Sequence, residues 1–232
     1  MGLAATEYGR FTELLESLGP DDWARPTVCS PWDVRALATH VLGSAESAAS
    51  MKENVHQKKL AGPLVKELGL AHIVDGVNEV QVRERAAMTP AEVVARWREV
   101  VPLAVRGRQR FPRILRPIPI RFPEPVGRRT MGYLWDIAFT RQDWMHRVDV
   151  ARATGREPVL TAAHDGRLLA DVVADWAATH GHAFTLHLTG PAGGDYASGA
   201  GGEELEIDAV DWMWAITGRA PGAGLLARAM AL

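Results

Sequence analysis

The sequence predicts a two-domain protein, in which an α-helical domain over residues 1–154 precedes a small α+β domain over residues 155–232. Two patterns support this fold class. Apolar residues recur at helical spacing in most of the first domain, whereas short segments after Gly155 alternate between apolar and polar residues, as half-buried strands do. The hydrophobic fraction of 47% is also enough to form a core.

The N-terminal half begins with two predicted helices. The first covers residues of about 5–18 and ends at Gly19-Pro20. The second starts with Ser30 as its N-cap and Pro31 at its first helical position, and we expect it to run to about residue 52. This second helix contains His40.

Two further helices complete the predicted bundle. Thr89 and Glu92 form a capping box at the start of one of them. The other covers residues of about 130–154, contains His146 and ends before Gly155. Residues 67–86 are compatible with a fifth helix of less distinct bounds. Helices in this number favour an α-bundle.

Residues 107–129 interrupt the helical pattern, because their prolines forbid a regular helix. The segment and the residue just before it are strongly basic. Two interpretations remain open: a mouth that attracts an anionic substrate, or a solvated connection between two helices. The basic residues are Arg106, Arg108, Arg110, Arg113, Arg116, Arg121, Arg128 and Arg129.

The C-terminal domain is predicted to combine two helices with two strands. Thr161 caps a helix over residues of about 162–180, and strands follow at 184–189 and 204–207. The glycine-rich stretch 190–202 lacks the spacing of a phosphate-binding loop, so we expect it to be a hairpin loop. Asp208 caps the last helix, which ends at Gly218.

Charge and cysteine content limit the partners and the compartment. A formal charge of −2 and a pI of about 6.5 give no electrostatic reason to expect nucleic acid or an anionic membrane as a partner. With one cysteine, an intrachain disulfide is impossible, and no apolar stretch is long enough to span a membrane. We therefore expect a cytoplasmic protein.

Two histidines that lie far apart in sequence suggest a metal site between helices. Three residues share a helix face with His146, because they lie three or four positions away: Gln142, Asp143 and Asp149. If His40 faces them, imidazole and carboxylate donors would suit zinc, or iron or nickel at higher coordination. The alternative also remains open: His40 is a core histidine bonded to a backbone carbonyl, and His146 and Asp149 form a local pair.

Cys29 has two interpretations as well. It lies just before a predicted helix N-terminus, where a thiolate is favoured, so it is a candidate nucleophile. No histidine lies near it in sequence, and a cysteine in such a position also serves as a small buried hydrophobic residue.

Three parts of the chain resemble the mycothiol-dependent maleylpyruvate isomerase family, which belongs to the DinB/YfiT-like group of metalloenzymes. The first is the N-terminal series Trp23, Pro26, Cys29, Pro31-Trp32-Asp33-Val34-Arg35, His40 and Gly43. The second is Trp144-Met145-His146-Arg147-Val148-Asp149-Val150. The third runs from Asp208-Ala209-Val210-Asp211 through Ile216-Thr217-Gly218-Arg219.

The resemblance implies a fold and a ligand set. The N-terminal domain would be a DinB-like four-helix bundle, followed by the small α+β domain. The metal would be held by histidines at positions 40 and 146 and by a glutamate at the position of Gln142. Because an amide is a poorer zinc ligand than a carboxylate, three possibilities remain open: Asp143 or Asp149 supplies the charge, Gln142 binds weakly, or the site has lost its metal. Asp149 is also a candidate for orienting a ligand histidine.

The resemblance further implies an activity. Mycothiol, as the thiol cosubstrate, would add to a small, anionic, electrophilic substrate, giving isomerisation or S-transfer at a divalent metal, with zinc favoured over nickel or iron. The alternative is a non-catalytic family member that binds a small molecule or a partner through a degraded metal site. We expect a small-molecule substrate, no nucleic-acid or membrane partner, and a monomer or homodimer.

Overall fold

The computed structural model describes residues 2–121, 127–228 and 230. The protein is mostly helical and carries small β-sheets, which makes it an α+β protein. Its chain forms two compact units: one contains Met1–Ile118 and Thr130–Pro158, and the other contains Pro119–Arg129 and Val159–Leu232. The segment after Ile118 therefore groups with the second unit. In the part of the chain that is described, no helix has the length and apolar character needed to cross a membrane.

The first unit is built from helices. Its longer helices are α1 (Gly2–Ser17), α2 (Val34–Ala49), α3 (Met51–Leu68), α4 (Ile73–Arg83), α5 (Pro90–Arg110) and α7 (Phe139–Thr154). Short 3-10 turns lie at Pro20–Ala24 and Arg113–Leu115. The short helix α6 (Met131–Tyr133) and a π-helical turn (Leu134–Ala138) lead directly into α7. The continuous helical stretch from 131 to 154 agrees with the expected helix at 130–154.

The second helix begins and ends at other residues than the sequence suggested. Its N-cap is Asp33, whose carboxylate accepts a hydrogen bond of 2.7 Å from Ala36 N. Residues 25–34 form a backbone-bonded turn with a bridge between Pro26 and Asp33, so Ser30 and Pro31 lie in this turn and not in the helix. Ser50 is extended and accepts a hydrogen bond from Glu53 N, so a separate helix, α3, starts where the prediction had α2 continuing.

The core of the first unit lies between α1, α2, α5 and α7. Trp97 is fully buried, with Tyr8 and Phe11 edge-on against it at ring-centroid distances of 5.5 and 5.1 Å. The capping box predicted at the start of α5 is present, since Thr89 Oγ1 accepts from Glu92 N and Glu92 accepts from Thr89 N. Helices α2 and α7, which carry the two histidines, pack against α5 and α1 of this core.

The second unit contains helices α8 (Arg167–His180) and α9 (Ala209–Ile216) with strands β3 (Phe184–Thr189), β4 (Gly194–Ser198) and β5 (Glu203–Asp208). Strand β3 lies in the middle, antiparallel to β4 and parallel to β5. The expected hairpin loop at 190–202 was therefore wrong in part: it contains a strand, and the two predicted strands run parallel. Two further short strands, β1 (Pro119–Arg121) and β2 (Arg128–Thr130), pair with each other.

Candidate metal centre

Helices α2 and α7 bring the two candidate histidines together. The rings of His40 and His146 meet edge to face, with their centroids 5.0 Å apart. The indole of Trp32 also lies against His40, at a centroid distance of 5.1 Å and an angle of 33° between the planes. Both histidines are buried, with exposed fractions of 2% and 8%. The sequence alone does not show that these residues are close together. The packing of α2 on α7 brings them into contact.

Gln142 reaches His40 from α7, one turn before His146. Its Nε2 lies 2.9 Å from His40 Nε2. In this orientation the amide donates to the imidazole, which then carries its proton on Nδ1; rotation of the amide would instead present its oxygen to the same ring nitrogen. The position at which the resemblance implies a glutamate therefore does face His40.

The pKa of His40 is lowered to about 3. Burial is the main cause, because a charged imidazole loses its hydration there, and the nearby His146 and Arg85 add electrostatic repulsion. The Gln81 side chain opposes this effect, although His40 Nδ1 and Gln81 Oε1 lack a hydrogen bond of normal geometry within the described chain. His40 is thus neutral at physiological pH, as a metal ligand must be.

Asp149 links His146 to Cys29. Its Oδ2 lies 3.1 Å from His146 Nδ1 and 3.3 Å from Cys29 Sγ, whose thiol donates to it. Asp149 is 1% exposed. One donor atom from each of these three residues lies within 4.8 Å of the other two. No local pattern in the sequence indicates this cluster, because 120 positions separate Cys29 from Asp149.

Asp143, the remaining candidate ligand, lies elsewhere. Its Oδ2 is 3.7 Å from Arg108 Nη1, in the core of the first unit. Burial raises its pKa to about 8; Arg108 opposes the rise and the Glu7 carboxylate adds to it. At about 100° per residue, Asp143 and Gln142 point to different sides of α7, so the structure brings Gln142 and not Asp143 to His40.

The basic segment is less uniform than its composition suggested. Arg108 is fully buried at the end of α5, where it donates to Trp135 O (2.9 Å) and Thr140 Oγ1 (2.6 Å). It therefore has a structural role and cannot form part of a solvated mouth. Arg116 pairs with Asp136, while Arg110 and Arg113 are exposed. Residues 122–126 lie outside the described chain.

Comparisons with known proteins agree with this arrangement of helices. A sequence model of the family described as "Mycothiol maleylpyruvate isomerase N-terminal domain" matches residues 4–151. The structure is similar to one described as "the mycothiol-dependent maleylpyruvate isomerase", with a TM-score of 0.57 and 14% identity over 94% of this chain and 88% of that chain. A histidine-to-alanine variant of that isomerase matches with the same values. At this identity the likeness concerns the fold. No curated protein matches the chain in sequence.

Proposed function

Because the chain belongs to the mycothiol maleylpyruvate isomerase N-terminal domain family, we propose that it is a divalent-metal-dependent enzyme that uses mycothiol to isomerise or S-conjugate a small, anionic electrophile in the cytoplasm. The observation that carries the proposal is the contact between the buried side chains of His40 and His146, with Gln142 beside them. Zinc is the favoured metal, with nickel or iron as alternatives.

In this proposal the helical part of residues 1–154 is a DinB-like four-helix bundle formed by α1, α2, α5 and α7, followed by the α+β domain at residues 155–232. The support is that α1 contacts α5 and α7, and that α2 also contacts both. Such bundles hold metals with side chains that project inward from facing helices. His40 on α2 and His146 on α7 have this relation.

The histidines fit a divalent metal. His40 is neutral, and His146 contacts Asp149 through Nδ1, which leaves Nε2 for an ion. Metal-ligating histidines commonly have a carboxylate in this position, where it fixes the tautomer and the ring orientation. Gln142 is the weakest metal ligand of the three, because its amide brings no charge. When bound, the metal would lower the pKa of a coordinated thiol and keep it as the thiolate.

The protein's own residues would provide the rest of the site. Trp32 covers one face of His40 and excludes water from it. Asp149 holds the ring of His146 in place. Exposed arginines within residues 107–129, such as Arg110 and Arg113, supply positive charge for the carboxylates of the substrate.

The first experiment is to measure the metal content of untagged protein by elemental mass spectrometry, together with thiol-dependent turnover of maleylpyruvate. We expect near-stoichiometric metal that is lost in His146→Ala and kept in His56→Ala, since His56 is an exposed histidine on α3. Turnover should require mycothiol. A protein that stays metal-free after growth with added zinc, and that shows no thiol-dependent turnover, would contradict the proposal.

A second candidate function follows from Gln142 itself. With an amide at the family's glutamate position, the donor set of His40, Gln142 and His146 is neutral. A neutral set binds zinc more weakly than one with a carboxylate. The chain would then be a non-catalytic member that binds a small molecule or a partner, and the metal-free outcome above would favour this function.

A further inference from the structure

The cluster of Cys29, His146 and Asp149 has the donor types and spacing of a metal site. The Asp149 carboxylate lies 3.3 Å from the Cys29 thiol and 3.1 Å from the His146 imidazole. Two donors that bind one tetrahedral zinc ion at about 2.0–2.3 Å are themselves separated by roughly 3.3–3.8 Å. Only small displacements would therefore replace these hydrogen bonds with bonds to a metal.

Charge distinguishes this cluster from the neighbouring set of His40, Gln142 and His146. That set is neutral, so a divalent cation buried within it would keep its full charge in a medium of low polarity. Cys29 as thiolate and Asp149 as carboxylate together bring two negative charges, which balance a divalent cation. Thiolate, imidazole and carboxylate are the three side-chain ligand types that zinc takes in proteins.

The backbone holds Cys29 in position for this role. Its N–H donates to Thr27 Oγ1 over 3.2 Å, and its carbonyl accepts from Trp32 N over 3.0 Å. The turn is thus fixed on both sides of the cysteine. Cys29 itself is partly exposed, unlike His146 and Asp149, which are buried. Three protein donors with access on one side leave a fourth position for an incoming thiol, as in catalytic zinc sites.

We propose that the protein binds its divalent metal through Cys29 Sγ, an imidazole nitrogen of His146 and an Asp149 carboxylate oxygen, with the fourth position open to the thiol cosubstrate. This inference rests on the proposed function and changes which residues hold the metal. Binding breaks the Sγ–H bond of Cys29, forms a sulfur–metal bond and releases one proton to solvent. His40 and Gln142 then face the metal-bound cosubstrate and not the metal.

Cobalt(II) titration of the metal-free wild-type protein tests this assignment directly. A cobalt–thiolate bond gives a charge-transfer absorption in the near ultraviolet, which a site of nitrogen and oxygen donors lacks. We expect this band in the wild-type protein and its loss in Cys29→Ser. Cobalt affinity should fall in Cys29→Ser by more than the roughly 10- to 100-fold that loss of an outer-shell partner costs. His40→Ala should keep the band, as should the exposed control His56→Ala.

The outcomes separate this inference from the proposed function. Cobalt binding without the band, abolished by His40→Ala and retained in Cys29→Ser, would overturn the Cys29 site and leave a metal-dependent enzyme with the family's ligands. A wild-type protein that binds no cobalt would overturn both.

Two further measurements apply if Cys29→Ser fails to fold. Asp149→Asn should keep the band but weaken cobalt binding. In the wild-type protein Cys29 is the only cysteine, so reaction with an aromatic disulfide reports this thiol alone. We expect zinc to slow that reaction at least about tenfold, which would need no variant. An unchanged rate at saturating zinc would contradict a sulfur–metal bond.

Discussion

Gln142 Nε2 and His40 Nε2 lie 2.9 Å apart, so a neutral amide occupies the place in which the resemblance implies a glutamate. This contact means that a charge introduced at position 142 would reach the histidine pocket. It also leaves the set of His40, Gln142 and His146 neutral, in contrast to the set of Cys29, His146 and Asp149. The side chain at position 142 is therefore expected to control which set a metal prefers.

Gln142→Glu should raise metal affinity. A carboxylate beside two imidazoles completes a charged donor set, and we expect the affinity for zinc to rise at least about tenfold, equivalent to about 1.4 kcal/mol. Competition with a chelating dye measures this change. Gln109→Glu is the matched control, because Gln109 is exposed on α5 and should leave the affinity unchanged. Equal affinities for wild type and Gln142→Glu would mean that a carboxylate at position 142 does not create a second charged donor set with His40 and His146.

Asp143→Asn should change how stability depends on pH. The pKa of Asp143 is raised to about 8 in the folded protein, from 3.8. The folded state thus holds the proton more tightly, and the stability that this gives is complete below about pH 4 and lost as the pH rises through about 8. Because the amide mimics the protonated acid, Asp143→Asn should melt like wild type at about pH 4 and increasingly above it as the pH rises to 9. Asp171→Asn, in a solvent-exposed pair with Arg167, should show no such pH-dependent difference from wild type.

The opposite result for Asp143 would also be informative. A melting temperature that falls at every pH in Asp143→Asn would mean that the carboxylate is ionised and paired with Arg108, 3.7 Å away.

Glu7→Gln should destabilise the first unit strongly. Glu7 is fully buried on α1 and receives Arg147 Nε at 2.6 Å and Nη2 at 3.3 Å. Removal of the carboxylate charge from this buried ion pair costs about 3–5 kcal/mol. Glu16→Gln, in the exposed pair of Glu16 with Arg98, should cost no more than about 1 kcal/mol. Urea unfolding measures the free energy of unfolding of both variants. A similarly small loss of stability in both would contradict the structural role of the ion pair between Glu7 and Arg147.

Two glycines in helices should respond to alanine in opposite ways. A Cβ at Gly107 on α5 would lie 2.0 Å from the carbonyl oxygen of Ala48 on α2, so Gly107→Ala forces these helices apart and should cost about 1–3 kcal/mol. A Cβ at Gly9 in α1 meets nothing within 4 Å, so Gly9→Ala should stabilise by about 0.5–1 kcal/mol. Thermal unfolding of both variants checks this, and a stable Gly107→Ala protein would argue against the close approach of α2 and α5.

The helices were predictable where local chemistry defines them. Thr89 and Glu92 form the expected capping box, and α7 ends at Gly155, which has the positive φ of 67° that glycine adopts readily. Helix α3 was missed because Ser50 interrupts a stretch of good helix-forming residues, and a single serine does not distinguish a cap from a helix interior.

The site was predictable only in part. Helical spacing placed Gln142, Asp143 and Asp149 near His146, but the rotation of α7 decides which of them face α2. At about 100° per residue, Gln142 and Asp149 fall on one side of His146 and Asp143 on the other. The position of Cys29 depends on how the turn at residues 25–34 packs on α7, which no local pattern encodes.

The π-helical turn Leu134–Ala138 sets the phase of the helical stretch that contains His146. Its last bond runs from Phe139 N to Leu134 O, five residues back, so the turn holds one residue more than an α-helical turn. Trp135 O accepts a hydrogen bond from the buried Arg108 within this turn. The turn takes up this extra residue locally, between Met131–Tyr133 and the helix that carries His146. Chain length here is therefore as constrained as residue identity, because it decides which backbone carbonyl faces Arg108.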